Sequence, residues 1–326
     1  MSLKAIAAVL GLSVTTVSRA LNGYQDVAPE TRKRIEEEAQ RRGYRPNAAA
    51  RRLKTGRANA VGFVYPIGAS PLNGSDFSDM LLALEHHLAR YDINLLLLAD
   101  KQQSQSTLTR LLRSGAVDAL IVGHTTPEDS RLHALLQTNF RFLALGRSDL
   151  PSTYAWFDVD HLAGSQLAVG WSLAQGRQRI AWLGSNENST RVRDRRQGYL
   201  TALGEVTPYA MAAVAPSRRA GYQQTREWLA EGPVPEVIIT DCAALAEGAA
   251  LALQLAGRAA GEGAILLAGW EGLPRDAILD HPIVAIRQAT PHQAGEQVAE
   301  MVIRLIDGAP PETLQTLWQP WLQLPA

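Results

Sequence analysis

Cysteine is nearly missing from this chain: Cys242 stands alone among 326 residues. One thiol excludes an internal disulfide and a zinc site built on several cysteines. Long apolar runs are missing too. A membrane-crossing helix needs about 20 consecutive apolar residues, and the longest candidate, Leu95–Ala99, has only strand length. The opening Met1-Ser2-Leu3-Lys4 lacks the apolar stretch of a secretion signal, so a soluble, cytoplasmic protein without a membrane partner is expected. Catalytic signatures are absent as well. There is no Gly-x-Ser-x-Gly elbow, no phosphate loop ending in Gly-Lys-Ser/Thr and no His-Glu-x-x-His. His86 and His87 are neighbours, and adjacent side chains on a helix diverge by about 100°, which makes them poor joint metal ligands. Gly257, Gly261 and Gly263 have the spacing of a helix-ending loop. No enzyme, metal or cofactor is expected.

Net charge is also lacking, with 32 basic and 32 acidic residues. The balance conceals an asymmetry. Residues 1–57 hold twelve Lys or Arg against five Asp or Glu, a surplus of +7, so residues 58–326 carry −7. A basic head on an acidic body suits a phosphate-binding module joined to a larger domain. Basic chain ends are common, and this feature alone does not decide the matter. The 46% hydrophobic content is enough for large cores, and the length suits two or three domains.

In the head, Leu3, Ile6, Ala7 and Leu10 share one face at helical spacing, and Gly11 ends the run. Ser13 is a good N-cap for a second helix, Val14–Leu21, stopped by Asn22-Gly23. Two short helices joined by a tight glycine-containing turn form a helix-turn-helix signature. On the second helix Thr15, Thr16, Ser18 and Arg19 are polar and point outward. Arg bonds a guanine edge bidentately, and Thr contacts a thymine methyl or a phosphate. A solvated helix face is the other meaning of that pattern. A third helix is expected from Pro29, a favourable first position, to about Arg42 before Gly43. Asn47 can cap a short Ala/Arg-rich helix that Gly56 closes. Two such turns are too short to stand alone in water and fit a segment that folds when laid on DNA.

The run Leu3-Lys4-Ala5-Ile6-Ala7, Gly11 to Gly23, Val27 to Arg32 and Gly43 to Leu53 resembles the headpiece of the lactose-repressor (LacI) family. The resemblance implies major-groove reading by Thr15, Thr16 and Arg19, with Ser18 and Asn22 also among the DNA-binding residues. It implies a minor-groove hinge helix carrying Asn47, Ala50, Arg51, Leu53 and Lys54, with Leu53 wedged between base pairs. An inserted leucine unstacks a step and bends the duplex. One departure is Ala28, where the family usually has Ser. A lost cap costs about 0.5–2 kcal/mol, so a frayed start to the third helix is expected.

From Ala60 the pattern changes to short strands alternating with helices, which implies parallel α/β sheets. Strands are expected at Ala60–Tyr65, Ile93–Leu98, Ala119–Val122, Phe142–Leu145, Ile180–Leu183, Tyr209–Val214, Val237–Thr240, Ala264–Ala268 and Ile283–Arg287. Intervening helices include Asp79–Tyr91, Ala163–Gln175 and Arg193–Leu203. Two similar doubly wound halves suggest two lobes with a ligand cleft at the strand ends. Val159 to Gly164, Gly176 to Gly184, Arg195 to Leu203 and the tail from Ile286 to Gly308 resemble the LacI-family sensor, a relative of periplasmic sugar-binding proteins. The implied organisation is an all-α helix-turn-helix at 1–46, a hinge at 47–57 and a sensor at 58–326. Within the sensor, one lobe takes 58–158 and 287–316, the other 159–286 and 317–326.

Ligand residues follow from the resemblance position by position. Arg195 stands at the family's ligand arginine; its guanidinium fork suits adjacent hydroxyls or a carboxylate, though Arg191, Arg193 and Arg196 surround it. Glu271 occupies a usual Asp position, and Trp270 beside it offers either a face for a sugar ring or core packing. The usual Asp before the next helix falls on Ala243, leaving Asp241 as its substitute. In the loop after the first strand, Phe77, Ser70 and Asp76 are the candidates. The expected function is a homodimeric repressor on a pseudo-palindromic operator, released by a small-molecule effector, a sugar or sugar derivative. A corepressor-dependent regulator sensing a nucleobase or another metabolite is the alternative. A periplasmic-type solute-binding protein is the reading from another class. No heptad segment follows the last strand, so a dimer and no coiled-coil tetramer is expected.

Overall fold

The computed structural model describes residues 2–21, 26–44, 56–66, 75–100, 105–231 and 233–325. The chain divides into two compact units, Met1–Ala58 and Asn59–Ala326. In the first, α1 (Leu3–Leu10), α2 (Val14–Leu21) and α3 (Pro29–Arg41) follow the periodicity closely. Gly11 takes the left-handed conformation at φ 63°, which glycine adopts without steric cost, and its N–H donates to the Ala7 carbonyl. That turn sets α1 and α2 at 110°, within the range of helix-turn-helix pairs. Ile6, Ala7, Val17, Ala20, Val27, Ile35 and Ala39 form the core, edged by Leu3, Leu10, Leu12, Leu21 and Tyr44. Ala28 supplies no side-chain cap, yet α3 starts at Pro29 and Arg32 N donates to the Ala28 carbonyl at 2.9 Å. The proline fixes φ for the first turn and offsets the missing cap.

The second unit holds two six-stranded sheets. The first contains β1 (Ala60–Pro66), β2 (Asn94–Asp100), β3 (Ala119–Gly123), β4 (Phe142–Leu145), β5 (Ala155–Val159) and β11 (Gln315–Trp318), in the order β11-β5-β4-β3-β1-β2, all parallel. The second contains β6 (Ile180–Ser185), β7 (Ala210–Val214), β8 (Val237–Thr240), β9 (Leu266–Trp270), β10 (Ile283–Arg287) and β12 (Trp321–Gln323), ordered β12-β10-β9-β8-β6-β7, with only β12 antiparallel. The chain passes between lobes after β5, after β10 and between β11 and β12. The last switch falls after Trp318, two residues later than the family pattern implies.

Around the first sheet lie α4 (Ser75–Ala89), α5 (Gln105–Ser114), α6 (Ser130–Thr138) and α11 (Pro291–Ile306). Around the second lie α7 (His161–Ala174), α8 (Thr190–Leu203), α9 (Arg218–Ala230) and α10 (Ala243–Leu255). Successive residues of the second sheet enter opposite cores: Ile180, Trp182, Val237 and Ile239 on one face, Ala181, Leu183 and Ile238 on the other. A parallel sheet covered on both faces reads as continuous apolar runs, which these strands do. α7 and α8 approach so closely that a Cβ on Gly198 would lie 2.2 Å from the Leu162 carbonyl oxygen. Among the described residues no single helix is long and apolar enough to cross a membrane.

Four elements were not read from sequence: β5, α11, β11 and β12. β5 carries Asp158 inside its apolar pattern, and β11 and β12 are short strands on sheet margins. β9 lies two residues beyond its expected position, which places Trp270 at the buried end of the strand.

Candidate functional site

In the headpiece, Thr15 is exposed on α2 while Thr16, Ser18 and Arg19 are half-buried. Ser13 caps the helix as expected: its Oγ accepts Thr16 N at 3.0 Å and shares a 2.8 Å hydrogen bond with Thr16 Oγ1. Arg19 Nε donates to Asp26 Oδ1 at 3.1 Å, a partner the sequence did not suggest. Val14, not singled out from the sequence, opens α2 40% exposed. An apolar residue left bare at that position was the available signal, since thymine methyls take such contacts. Asn22, Asn47, Ala50, Arg51, Leu53 and Lys54 lie outside the described residues.

The second candidate site lies between the lobes. On the first lobe, Tyr65 at the end of β1 and Phe77 in the first turn of α4 pack at 5.0 Å between ring centres, with His124 5.9 Å from Tyr65. Arg131 positions His124: its NH2 donates to the Gly123 and His124 carbonyls, each at 3.1 Å, while the buried Asp129 holds its fork. On the second lobe, Arg195 projects from α8 and is only 2% exposed. Its guanidinium carbon sits 4.0 Å from the Trp270 ring centre. Its Nε donates to His161 Nδ1 at 3.2 Å and its NH1 to the Asp241 carbonyl. Burial, reinforced by Arg191, pulls Arg195 down to about 10.

Trp270 is therefore not a free platform. It is fully buried, covered by Arg195 on its ring, and its Nε1 donates to Ser165 Oγ at 3.1 Å. Core packing, the second of the two roles its sequence position allowed, describes it. Asp76 is also occupied: its carboxylate lies 3.6 Å from Arg275 Nε, and burial raises its pKa. Ser70 lies outside the described residues.

Asp241 does stand beside Arg195, at the C-terminal end of β8. Oδ2 accepts Ser185 N at 2.7 Å, whereas the buried Oδ1 has no partner beyond the adjacent Cys242 thiol. Burial pushes that thiol up to about 12, so it stays neutral. Glu271 follows β9 with φ 69°, a left-handed conformation that costs a non-glycine residue about 1–3 kcal/mol. Its carbonyl accepts Arg287 NH1 at 2.5 Å. No hydrogen bond or ion pair to its carboxylate is found among the described residues. Arg191, one helical turn before Arg195, donates through NH2 to Glu187 at 3.3 Å and leaves its buried Nε unpartnered. Burial opposes its charge, but Glu187, Glu271 and Asp241 outweigh that and raise its pKa. The i, i+4 spacing to Arg195 was the signal for Arg191.

Contacts between the lobes rim this cluster. Thr190 N donates to the Thr125 carbonyl at 3.0 Å, and Arg275 NH1 to Asp79 at 2.7 Å. Arg193 pairs with Asp149, and His124 Nε2 lies 3.8 Å from Glu187. Burial, then Arg191, lowers His124 to about 4, so the ring is neutral near pH 7.

Beneath the cleft, Asp158 accepts Arg147 Nε at 2.9 Å and faces His161 Nε2 at 3.4 Å. Burial alone would raise this carboxyl, but His161 and Arg147 hold it at about 2 against the ordinary 3.8. A depressed carboxyl stabilises the fold above its unfolded pKa and loses that contribution as pH falls through the folded value. Asp158→Asn should cost about 2 kcal/mol at pH 7, with the difference from the parent closing between about pH 4 and pH 2, as followed by thermal unfolding.

Comparison with known proteins matches both parts of the chain. A family model described as bacterial regulatory proteins, lacI family, matches residues 2–47. A second, periplasmic binding proteins and sugar binding domain of LacI family, matches residues 58–318. The HTH-type transcriptional regulator RafR of Escherichia coli is 46% identical over 323 residues, covering 98% of this chain and 96% of its own. The regulator AglR of Rhizobium meliloti (strain 1021) is 33% identical, covering 98% and 91%. Among solved structures, a regulatory protein of LacI family from Chloroflexus aggregans superposes with TM-score 0.73 at 26% identity, covering 82% of this chain and 98% of that one. The Lac repressor bound to ONPG shares the fold across 100% of this chain and 98% of its own, at TM-score 0.85 and 23% identity. Both relatives are HTH-type transcriptional regulators, not enzymes. On the full-length match of headpiece and sensor together, this chain belongs to the LacI family of bacterial transcription regulators.

Proposed function

We propose that this regulator is a cytoplasmic, homodimeric repressor of a carbohydrate-utilisation operon, released from a pseudo-palindromic operator by a neutral sugar. The observation that carries the ligand class is the set of unused buried hydrogen-bonding groups in the interlobe cluster, Asp241 Oδ1, Arg191 Nε and Thr190 Oγ1, with the half-buried Glu271 carboxylate beside them. Buried polar groups without partners are costly. A sugar hydroxyl donates and accepts at once and satisfies both kinds. The charges nearby leave no cationic surplus: three arginines, Arg191, Arg195 and Arg287, meet four carboxylates, Glu187, Asp241, Glu271 and Asp76. A phosphorylated or acidic sugar would need a surplus of cations that this cluster lacks. Arg195, Asp241, Glu271 and Arg191 are the proposed sugar contacts, with Phe77 and Tyr65 as the apolar wall. Thr15, Thr16, Ser18, Arg19 and Val14 are the proposed base-reading face.

Release of DNA requires a ligand that prefers one lobe arrangement over the other, typically by about 1–3 kcal/mol of coupling. The lobe contacts at Thr125–Thr190, Arg275–Asp79 and Arg193–Asp149 are the ones that a change of cleft angle breaks or makes. Dimerisation has candidate faces in Leu96 and Leu97 on the edge strand β2, and in Leu251, Leu255 and the 97% exposed Ile278 on the second lobe.

The test begins with selection of duplexes from a random library by the full-length protein. A two-fold symmetric site should emerge, binding should weaken steeply with salt, and residues 58–326 alone should retain none of it. A thermal-shift panel of D-galactose, sucrose, lactose, maltose and their phosphates then addresses the cleft. A neutral sugar at 100 times its dissociation constant should add about 2.7 kcal/mol of stability and release the selected duplex. Binding confined to phosphorylated sugars would overturn the charge argument, and tighter DNA binding with sugar would make the effector a corepressor.

A further inference from the structure

One buried group near Arg195 has no place in sugar contact. His161 is the first residue of α7, just past the first crossing between lobes, and it is 7% exposed. Its two ring nitrogens point to different lobes. Nδ1 accepts Arg195 Nε at 3.2 Å. Nε2 lies 3.4 Å from Oδ1 of Asp158 on β5, and Asp158 Oδ2 in turn accepts Nε and N of Arg147, at 2.9 and 3.2 Å. The ring packs edge-on against Trp270 at 5.1 Å, the same indole on which Arg195 lies. The charged groups that face it are Asp158 from β5 and Arg195 and Arg191 from α8. The unbroken line is Arg147, Asp158, His161, Arg195, Asp241: first lobe, crossing, second lobe, cleft.

We infer that His161 is a positioning residue, which orients Arg195 for the effector and ties that orientation to the Asp158–Arg147 pair of the first lobe. The arrangement demands one tautomer. Arg195 only donates, so Nδ1 must be bare; Asp158 only accepts, so the proton sits on Nε2. A guanidinium on a flexible stem loses affinity through rotamer freedom, and a fixed acceptor removes that freedom before ligand arrives. When a ligand draws Arg195, the imidazole moves with it, and the crossing strand receives the displacement at Asp158.

Two substitutions separate the two jobs. Asparagine at 161 places its Oδ1 near the Nδ1 position, facing Arg195, and cannot reach Asp158. Glutamine places its amide near the Nε2 position, facing Asp158, and gives up the Arg195 contact. In calorimetric titration of the full-length protein with the panel sugars, His161→Gln should weaken binding about tenfold or more, the scale of one hydrogen bond to a charged group. His161→Asn should hold affinity within about threefold while the sugar-induced loss of affinity for the selected duplex shrinks at least about threefold. Equal losses in both variants, tracking a common fall in Tm, would reduce His161 to a packing residue and overturn the inference. Nitrogen-15 spectra of the histidine-labelled full chain, which need no ligand, provide an independent arm. They should show His161 as the Nε2–H tautomer with an Nδ1 resonance that shifts in Arg195→Lys. An Nδ1–H or doubly protonated ring, or an unmoved resonance, would overturn it as well. The binding arm rests on the sugar reading above. If no panel sugar binds the parent protein, it is that reading that fails, and the spectra still decide the role of His161.

Discussion

Replacing Arg195 with alanine should abolish the response to effector while the headpiece still selects the same DNA. Arg195 is the hub of the cleft. It covers the Trp270 ring, donates to His161 Nδ1 and to the Asp241 carbonyl, and offsets the carboxylates of Asp241 and Glu271. Truncating one member of a desolvated charged network costs about 2–5 kcal/mol in binding, which corresponds to a factor of about 30 to several thousand. Titration of the sugar identified by the thermal-shift panel measures this directly. Arg195→Lys should recover only part of the loss, because an ammonium is a point charge and lacks the planar fork. A sugar affinity within threefold of the parent would show that Arg195 is a core residue and that the ligand lies elsewhere.

The second large effect concerns a residue with no polar atom beyond its backbone. Gly198 on α8 faces α7, and an added Cβ would lie 2.2 Å from the Leu162 carbonyl oxygen and 2.9 Å from its carbon. Both obstacles are backbone, so no rotamer change relieves them. Gly198→Ala must push two packed helices apart, and overpacking of this kind costs about 1–3 kcal/mol or more. The better helix propensity of alanine returns about 1 kcal/mol. Because both obstacles are backbone, the expected cost lies at the upper end of that range, a net loss of up to about 2 kcal/mol and a fall in Tm of up to about 4–8 °C for a domain of this size. Gly170, on the same α7, provides the control: a Cβ there meets nothing within 4 Å. Gly170→Ala should therefore leave Tm unchanged or raise it slightly. Similar changes in both variants would mean that α7 and α8 are looser than their geometry indicates.

The helix pattern of the headpiece was legible because each signal was local. Gly11, Ser13 and Pro29 act within one turn of the ends they mark, and the structure puts them to those uses. The sensor's central strands were legible for a related reason, since burial on both faces leaves unbroken apolar runs such as Ala119–Gly123. The elements that were missed owe their existence to distant partners. β5 tolerates Asp158 only because Arg147 and His161 satisfy it, and nothing adjacent in sequence announces that. α11 joins the first lobe through packing on residues some two hundred positions earlier, among them Leu84 and Leu88. In the cleft, Arg195 and Asp241 stand together, although the family's usual Asp position is held by Ala243. The burial of Trp270 and the ion pairing of Asp76 depend on Arg195 and Arg275, which only the folded chain brings near.

The interleaving of the lobes bears on how the protein is made. The five strands β1–β5 are complete by Val159, yet α11, which seals the same core at Val298, Val302 and Leu305, begins at Pro291. At ~5–20 residues per second of translation, the ribosome needs on the order of ten seconds to cover that interval. Through all of it the face of the first sheet that α11 covers lacks its packing partner. Slow codons between the two segments would lengthen the time for which that apolar surface lacks its cover.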